Sequence, residues 1–253
     1  AALEPLFAAQ KILDRHPSPG TRLRGLLLND IAYAYFYDSQ PEKAIAYLEQ
    51  ILELLESSGR GATLLYQRIT ANKAVSLQVM GRTPDALNVF ADLRRRMQTS
   101  GFRDRGAAIQ LAQYGDLLIE VGRIEEAEAI YTEGLAIAES VGYSRATASL
   151  NLGMAKVYLA NTNFGPALEY LGAAEAYVRE GEPRPLANGI RTHRAKLHRM
   201  TGQLDAAART IDTLLFDMGY PEARRAAGLN AALAEGVEIF RNSGDYQKAD
   251  ALV

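Results

Sequence analysis

The stretch Gly122-Arg123-Ile124-Glu125-Glu126-Ala127-Glu128-Ala129-Ile130-Tyr131, continued through Leu171, is the unit from which this chain is built. In it Ala127 follows a glycine turn by five positions and precedes the large apolar Tyr131 by four. The same arrangement recurs with Ala167 and Leu171. A small residue followed one helical turn later by a large one predicts that two helices approach closely at that point.

Small and large apolar positions recur along the chain at nearly constant intervals. The small residues early in successive second helices, spaced by 42, 41, 40, 40 and 42 positions, are Ala44, Ala86, Ala127, Ala167, Ala207 and Ala249. The small residues twelve positions earlier are Ala32, Ala74, Gly115, Ala155, Ala195 and, as the least suitable member, Val237. The large residues four positions after the first set are Leu48, Phe90, Tyr131, Leu171 and Ile211. Such equal spacings disfavour a single large helical bundle, in which the register need not repeat.

Two alternating sets of turns divide the chain into helical hairpins, and no segment resembles a strand. The turns within pairs are Ser39-Gln40, Gly81-Arg82-Thr83, Gly122-Arg123, Asn161-Thr162-Asn163, Gly202-Gln203 and Gly244-Asp245. The turns between pairs carry Gly20, Gly59, Gly101, Gly142, Gly181 and Gly219. We expect a helix to stop at each of these glycines in the left-handed conformation that glycine adopts easily.

This register resembles the tetratricopeptide repeat, in which small residues let two antiparallel helices approach and larger ones fill the gap to the next repeat. The period of about 40 residues, longer than the usual 34, is similar to the long-repeat branch seen in kinesin light chains and in bacterial maltose-regulator relatives. The resemblance implies an all-α fold: a right-handed superhelical α-solenoid of antiparallel helix pairs with about 13 helices.

The repeats predict one domain over residues 1–253. An orphan helix over 3–14 precedes repeats at about 21–58, 61–100, 104–141, 144–180, 185–218 and 222–253, the last one truncated. Because a repeat is interrupted at both ends, we interpret the chain as a segment of a longer protein.

The overall composition excludes several classes of function. A net charge of -2 is not that of a nucleic-acid-binding protein, and no apolar run approaches the roughly 18 residues of a membrane span. The absence of cysteine excludes disulfides and cysteine zinc sites. It is compatible with the periplasm as well as with the cytoplasm, which we favour.

Side chains beside the core positions of the first helices are the candidate binding residues, because the resemblance implies that these helices line the concave face. Polar amides there suit an extended peptide backbone, although a solvated face is the alternative. Four aromatic residues between Tyr33 and Tyr37 cannot all point inward, so some are left for a binding patch. The candidates on the first four such helices are Asn29, Tyr33, Phe36, Tyr37, Arg68, Asn72, Gln78, Gln110, Gln113, Asp116, Asn151 and Lys156.

Some members of the family hold the terminus of a peptide with a clamp of lysine, arginine and asparagine. Asn72 occupies the place of the clamp asparagine, but Tyr33 and Gln113 stand where other clamp residues belong, and the matching basic residues are absent. We therefore do not expect recognition of a free C-terminal carboxylate.

The fifth pair is the most basic part of the chain, with little acid nearby in the sequence. Its cationic residues and histidines are Arg184, Arg191, His193, Arg194, Lys196, His198 and Arg199. Arg191, Lys196 and Arg199 are expected to share the concave side, where they suit an acidic peptide, a phosphate-bearing ligand or an acidic domain. A solvated helix is the alternative.

Nothing in the sequence indicates catalysis, a cofactor or a metal site. His193 and His198 are five positions apart and point in different directions on a helix. No phosphate-binding glycine loop or nucleophile elbow is present. The leading hypothesis is a non-enzymatic module that binds a protein or peptide segment as the regulatory or scaffolding part of a larger, bacterial protein. The alternatives are a small-ligand sensor domain and self-association through the terminal repeats.

Overall fold

The computed structural model describes residues 3–15, 20–61, 63–178, 184–221 and 228–253. Over these ranges it contains thirteen α-helices and no strand. The helices are α1 (Leu3–Asp14), α2 (Thr21–Tyr37), α3 (Pro41–Ser57), α4 (Leu64–Val79), α5 (Thr83–Ser100), α6 (Arg105–Glu120), α7 (Ile124–Ser140), α8 (Ser144–Ala160), α9 (Phe164–Tyr177), α10 (Arg184–Met200), α11 (Leu204–Asp217), α12 (Leu229–Asn242) and α13 (Tyr246–Ala251). The expected all-α fold with antiparallel helix pairs is confirmed.

Glycines in the left-handed conformation end most of the helices, as the turn pattern predicts. Gly122 has a φ of 77° and Gly219 one of 76°. Within two pairs the corresponding turn has no glycine, and Ser39 and Thr162 adopt the left-handed conformation instead, with φ of 57° and 55°. A side chain is strained in this region, so the fold imposes these two turns on residues that do not favour them.

The prediction for Gly20 is wrong. Gly20 has φ -53° and ψ 133° and precedes the first residue of α2, so it begins one helix and does not end another in the left-handed region. Extended backbone at this position is normal, because the residue before a helix is not itself helical. The prediction for Gly181 lies outside the described residues.

The chain divides into two compact units, one ending at Leu117 and the other starting at Leu118. In the first unit each of α1 to α4 packs against the next helix in sequence. Its main core contains the small and large repeat positions together with residues of the flanking turns of helix. The buried members are Leu28, Ile31, Ala32, Ala44, Leu48, Ile51, Leu55, Tyr66 and Ile69. Leu3, Leu6 and Phe7 of α1 cover one side of this core.

In the second unit α7 to α13 also pack in sequence, and α10 additionally contacts α8 and α12. One core contains Leu152, Ala155, Leu159, Ala167, Leu171, Ala174, Ile190 and Leu197. Another contains Ala195, Ala207, Ile211, Leu214, Leu215, Met218, Leu229, Ala232, Ile239, Phe240 and Ala249. Packing of each hairpin on its neighbours is the arrangement of an α-solenoid.

The predicted repeat positions are buried. Every one of the six alanines from Ala44 to Ala249 is at most 1% exposed, and the large residues from Leu48 to Ile211 are at most 2% exposed. The last pair departs from the expected register at Val237, which is only partly buried. The buried small residue there is Gly236, one position earlier. An added Cβ at Gly236 would lie 2.7 Å from the Cδ1 of Leu252, so a larger residue would require a shift.

Candidate functional site

A groove of about 880 Å³ lies in the first unit, along α2, α4 and α6. We call it the main groove. It is lined by Arg22, Leu26, Tyr33, Leu55, Arg60, Thr63, Leu64, Leu65, Gln67, Arg68, Ala71, Asn72, Phe102, Asp104, Gly106, Ile109, Gln110 and Gln113. Most of these residues belong to α2, α4 and α6, the first helices of successive pairs, and the others come from α3 and from the loops before α4 and α6.

Two glutamines in the wall of the main groove have carbonyl oxygens without a hydrogen-bond partner among the described residues. Gln67 is 4% exposed and Gln110 is 5% exposed, and in each the Oε1 atom is buried and unpaired. An unpaired buried acceptor costs roughly 1–3 kcal/mol, since it has lost water and gained nothing in return. Because these oxygens are buried, a ligand that donates hydrogen bonds in the groove would remove this cost only if the amides rotated to present them.

An amide pair joins two of the helices that carry the groove. Asn29 is buried, and the Nδ2 of Asn72 donates a hydrogen bond to its Oδ1 at 3.2 Å. Asn72 lines the groove and Asn29 lies behind it. Of these two predicted binding residues, Asn72 is placed in the groove wall, while Asn29 accepts the hydrogen bond that orients the Asn72 amide.

A smaller cavity of about 170 Å³ adjoins the main groove, with which it shares Tyr33, Asn72 and Gln113. We call it the side pocket. Its remaining lining residues are Ala32, Phe36, Tyr37, Leu48, Val75 and Ser76. The ring of Tyr37 lies 6.0 Å from that of Tyr33 and meets Phe36 edge-on at 5.8 Å.

Some aromatic residues of α2 pack against the core, and others are exposed. Tyr35 packs against the core and stacks on Tyr47 at 5.6 Å. Tyr33 is 43% exposed and Tyr37 is 78% exposed. The leftover rings therefore form the wall of the side pocket.

The main groove is locally positive although the chain is not. Arg22, Arg60 and Arg68 are exposed, and their guanidinium groups form no hydrogen bond or ion pair with the residues that the structure describes. The single acidic lining residue, Asp104, accepts a hydrogen bond at 2.8 Å from the backbone N–H of Ala107 and so caps α6. The groove thus presents three guanidinium groups and one carboxylate, and this carboxylate already accepts a hydrogen bond from the backbone.

The remaining candidates of the first helices lie elsewhere. Gln78 and Asp116 are partly buried near the C-terminal ends of α4 and α6 and line neither cavity. Asn151 and Lys156 lie on α8 in the second unit. Asn151 is buried and donates to the carbonyl of Thr147 at 2.9 Å, within its own helix.

The basic face predicted on the fifth pair is occupied by ion pairs, contrary to the expectation that little acid opposes it. Arg191 pairs with Asp217 of α11 at 2.8 Å. Arg199 makes a two-pronged contact with Glu235 of α12, at 2.6 and 3.2 Å. These carboxylates are distant in sequence and come close only because α10 packs against several helices.

A third arginine of α10, Arg194, holds Glu175 of α9 through two hydrogen bonds of 2.7 Å. The Glu235 carboxylate raises the pKa of Arg199 above its usual value. Lys196 is half-buried and has no ion pair among the described residues. This helix therefore uses most of its charge to hold the second unit together.

The two described histidines do not share a partner. Nδ1 of His193 lies 2.8 Å from the carbonyl oxygen of Gly189, and Nδ1 of His198 lies 3.0 Å from Oε1 of Gln203. Among the described residues no three metal-ligating side chains cluster. None of the described helices is both long and apolar enough to cross a membrane.

Several groove residues are not among those predicted from the sequence, although helical spacing connects them with residues that are. Arg22 and Leu26 continue toward the N-terminus the stripe that contains Asn29 and Tyr33, at helical spacings of four, three and four. Ile109 extends the Gln110 and Gln113 face in the same manner. Arg60 lies in a loop between pairs, where only turn formation was considered. The burial of Gln67 had no sequence signal.

No family model matches this chain. A kinesin light chain-related protein of Arabidopsis thaliana is 26% identical over 119 residues, which cover 46% of this chain and 19% of that protein. Among solved structures, apo RapI superposes with a TM-score of 0.77 at 14% identity, covering 98% of this chain and 66% of RapI. A signal transduction ATPase from Pyrococcus horikoshii with a tetratricopeptide repeat sensor has a TM-score of 0.68 at 18% identity, covering 98% of this chain and 38% of that one.

These similarities show the tetratricopeptide-repeat fold. The chain spans about a fifth of the plant relative and less than two thirds of either structure's chain. Its own residues must therefore indicate what its surface binds.

Proposed function

We propose that this tetratricopeptide-repeat fold is a non-enzymatic recognition module whose main groove binds an extended peptide segment of a partner protein. It would act as the regulatory or scaffolding part of a larger, bacterial protein. The observation that carries the proposal is one long groove whose wall contains the amides of Gln67, Asn72 and Gln110, two of which have a carbonyl oxygen without a hydrogen-bond partner among the described residues. An extended peptide supplies N–H donors at regular intervals, which is the complement that such acceptors need.

The dimensions of the groove support a peptide of moderate length. The lining residues of α4 run from Leu64 to Ser76, and twelve residues of helix rise about 18 Å. An extended chain advances about 3.3 Å per residue, so five or six residues span this length. The mixture of apolar and polar lining residues suits side chains of both kinds.

The proposal is tested by selecting a random library of 12-residue peptides on the immobilised chain. Ile109 lines the groove and is 40% exposed, so Ile109→Trp fills the groove without disturbing the core. We expect selected peptides to bind this variant at least about 10-fold more weakly, a loss of about 1.4 kcal/mol. Leu168→Trp is the matched control, because Leu168 is 48% exposed on α9 of the second unit and should leave binding unchanged.

A second variant separates loss of binding from loss of folding. Gln67→Leu removes a buried acceptor that has no partner, so the free protein should be as stable as the parent or more stable. Peptide binding should nevertheless weaken about 5-fold or more, as expected for one lost hydrogen bond. If no peptide is enriched, or if the enriched peptides bind Ile109→Trp as well as the parent, the main groove is not a peptide site.

The second candidate function is a small-ligand sensor of a signalling protein. It is favoured by the main groove, whose volume of about 880 Å³ lies within the range of small-molecule sites, and by similarity to a signalling ATPase with a repeat sensor. A metabolite screen by thermal shift distinguishes the two: a compound that stabilises the parent but not a Tyr33→Ala variant supports the sensor.

A further inference from the structure

The three groove arginines differ from the arginines that hold this fold together. Arg82, Arg96 and Arg199, like others in the described part of the chain, pair with a carboxylate. Arg22, Arg60 and Arg68 come from α2, from the loop after α3 and from α4, and all line the main groove without such a partner among the described residues. Cations from three separate elements that converge on one groove, with no counter-ion in the part of the chain that the structure describes, favour an anionic ligand although the chain has a net charge of -2.

The side pocket suits a single apolar side chain. Its volume of about 170 Å³ is smaller than the roughly 300–1,000 Å³ of most small-molecule sites. Tyr33, Phe36 and Val75 supply aromatic and aliphatic surface, and no charged residue lines it. Because it opens beside the main groove at Asn72 and Gln113, one ligand can occupy both.

The rise along α2 and α4 gives the separation between the arginines and the side pocket. On α2, Tyr33 follows Arg22 by eleven residues, a rise of about 16 Å. On α4, Val75 follows Arg68 by seven residues, a rise of about 10 Å. At about 3.3 Å per residue, an extended peptide covers these distances in about three to five residues.

We propose that the ligand of the main groove is an acidic peptide segment that carries an aliphatic or aromatic anchor about three to five residues from its carboxylates. The carboxylates face Arg22, Arg60 and Arg68, and the anchor enters the side pocket. This rests on the proposed function, and it names the chemical class of the peptide.

The test compares four fluorescent 12-residue peptide pools on the immobilised chain. Each pool is random except at fixed positions. The first carries two glutamates and, four residues on, a leucine; the second has glutamine for glutamate, the third lysine, and the fourth aspartate for leucine. We expect the first pool to be captured about 10-fold more than the third, and more than the second and fourth. The preference should fall as salt rises from 50 to 300 mM, as attraction between exposed charges is screened.

Substitutions of the three groove arginines test whether the preference for glutamate over lysine arises in the main groove. The triple change Arg22→Gln, Arg60→Gln and Arg68→Gln should abolish the difference between glutamate and lysine pools. The matched control is Arg145→Gln, Arg209→Gln and Arg241→Gln, which removes three exposed arginines of the second unit and should leave the difference intact. All six side chains are exposed, so both variants should fold.

Each outcome decides a different point. Capture of all pools at the level seen with Ile109→Trp would mean that the proposed function itself fails. Capture above that level, with equal amounts of the glutamate and lysine pools, would overturn the acidic ligand and leave the peptide groove in place. A glutamate preference that survives in the groove triple variant would also overturn it, since the cations would then lie elsewhere.

Discussion

At the scale of single residues, one close approach between helices depends on a glycine that is not among the small residues of the repeat pattern. Gly153 of α8 faces the ring of Tyr131 from α7, and Tyr131 is fully buried. A Cβ at this glycine would lie 2.3 Å from the Cε1 atom of the tyrosine. The large side chain of one repeat thus occupies the space left by the missing side chain of the next.

We predict that Gly153→Ala destabilises the protein by about 1–3 kcal/mol, because the buried ring cannot move away from the new methyl group. Gly172→Ala is the matched control: Gly172 lies within α9 and has nothing within 4 Å of an added Cβ. It should stabilise by about 0.5–1 kcal/mol, since alanine favours the helix. Urea denaturation measures both, and a neutral Gly153→Ala would contradict the packing described.

At the scale of helices, charge and hydroxyl contacts connect residues that are ten or more positions apart in sequence and lie on different helices. In the second unit, α10 pairs with α9, α11 and α12 through a different arginine in each case. In the first unit, Tyr66 of α4 donates to Oε1 of Glu56 in α3 at 2.6 Å. Arg96 of α5 lies over the same ring at 5.1 Å. These contacts fix the relative positions of three helices at a time.

The ion pair between Arg199 and Glu235 should contribute more than its exposed neighbour. Its side chains are only 19% and 9% exposed, so Glu235→Gln leaves a largely buried guanidinium without the carboxylate that is hydrogen-bonded to it and should cost roughly 2–4 kcal/mol. Asp217→Asn breaks the pair with Arg191, whose side chains are 32% and 49% exposed, and should cost less than about 1 kcal/mol. Chemical denaturation compares the two variants, and equal losses would contradict the difference in burial.

The Tyr66 contact predicts a pH dependence at the alkaline end. Burial, followed by the hydrogen bond to Glu56, raises the pKa of Tyr66 to about 12 from the usual 10.0. A raised tyrosine pKa means that the neutral phenol is stabilised in the folded state. Its contribution is complete below pH 10 and is lost as the pH rises from about 10 to about 12. We expect Tyr66→Phe to be about 1–2 kcal/mol less stable than the parent at pH 8.

That difference should shrink to near zero by about pH 12, because the parent then loses the phenol proton as well. Tyr37→Phe is the control, since Tyr37 is 78% exposed and its hydroxyl has no described hydrogen bond. Its stability should follow that of the parent at every pH. Unfolding free energies measured between pH 8 and 12 give both comparisons, and a constant Tyr66→Phe difference would refute the assignment.

At the scale of the whole molecule, the main groove of the first unit and α10 of the second unit use their polar residues differently. The groove contains three arginine side chains and two buried amide oxygens that have no partner among the described residues. In the second unit, Arg191, Arg194 and Arg199 of α10 bind carboxylates of neighbouring helices. Unpaired groups cost stability and are available to a ligand, whereas paired groups stabilise the fold. This contrast is why we assign recognition to the first unit.

The sequence by itself determined the helices, their order and most of the repeat register. Helix formation and helix ends depend on local propensity and on glycine, and spacings near 40 residues place small residues at every close crossing. Tyr33, Asn72 and Gln113 lie on three different helices, and they were assigned to one face because the resemblance to the repeat family implies that the first helices of the pairs line the same face.

Only the tertiary structure decided which polar groups are free. Arg199 and Glu235 are 36 residues apart, so no local pattern connects them. Gln67 and Gln110 look like any surface amide in the sequence, yet their oxygens are buried without a partner. Pairing and burial depend on the distances between helices, and these follow from packing of the whole chain. The sequence therefore predicted the cationic binding face on α10, whereas the arginine side chains without a partner among the described residues lie along the main groove.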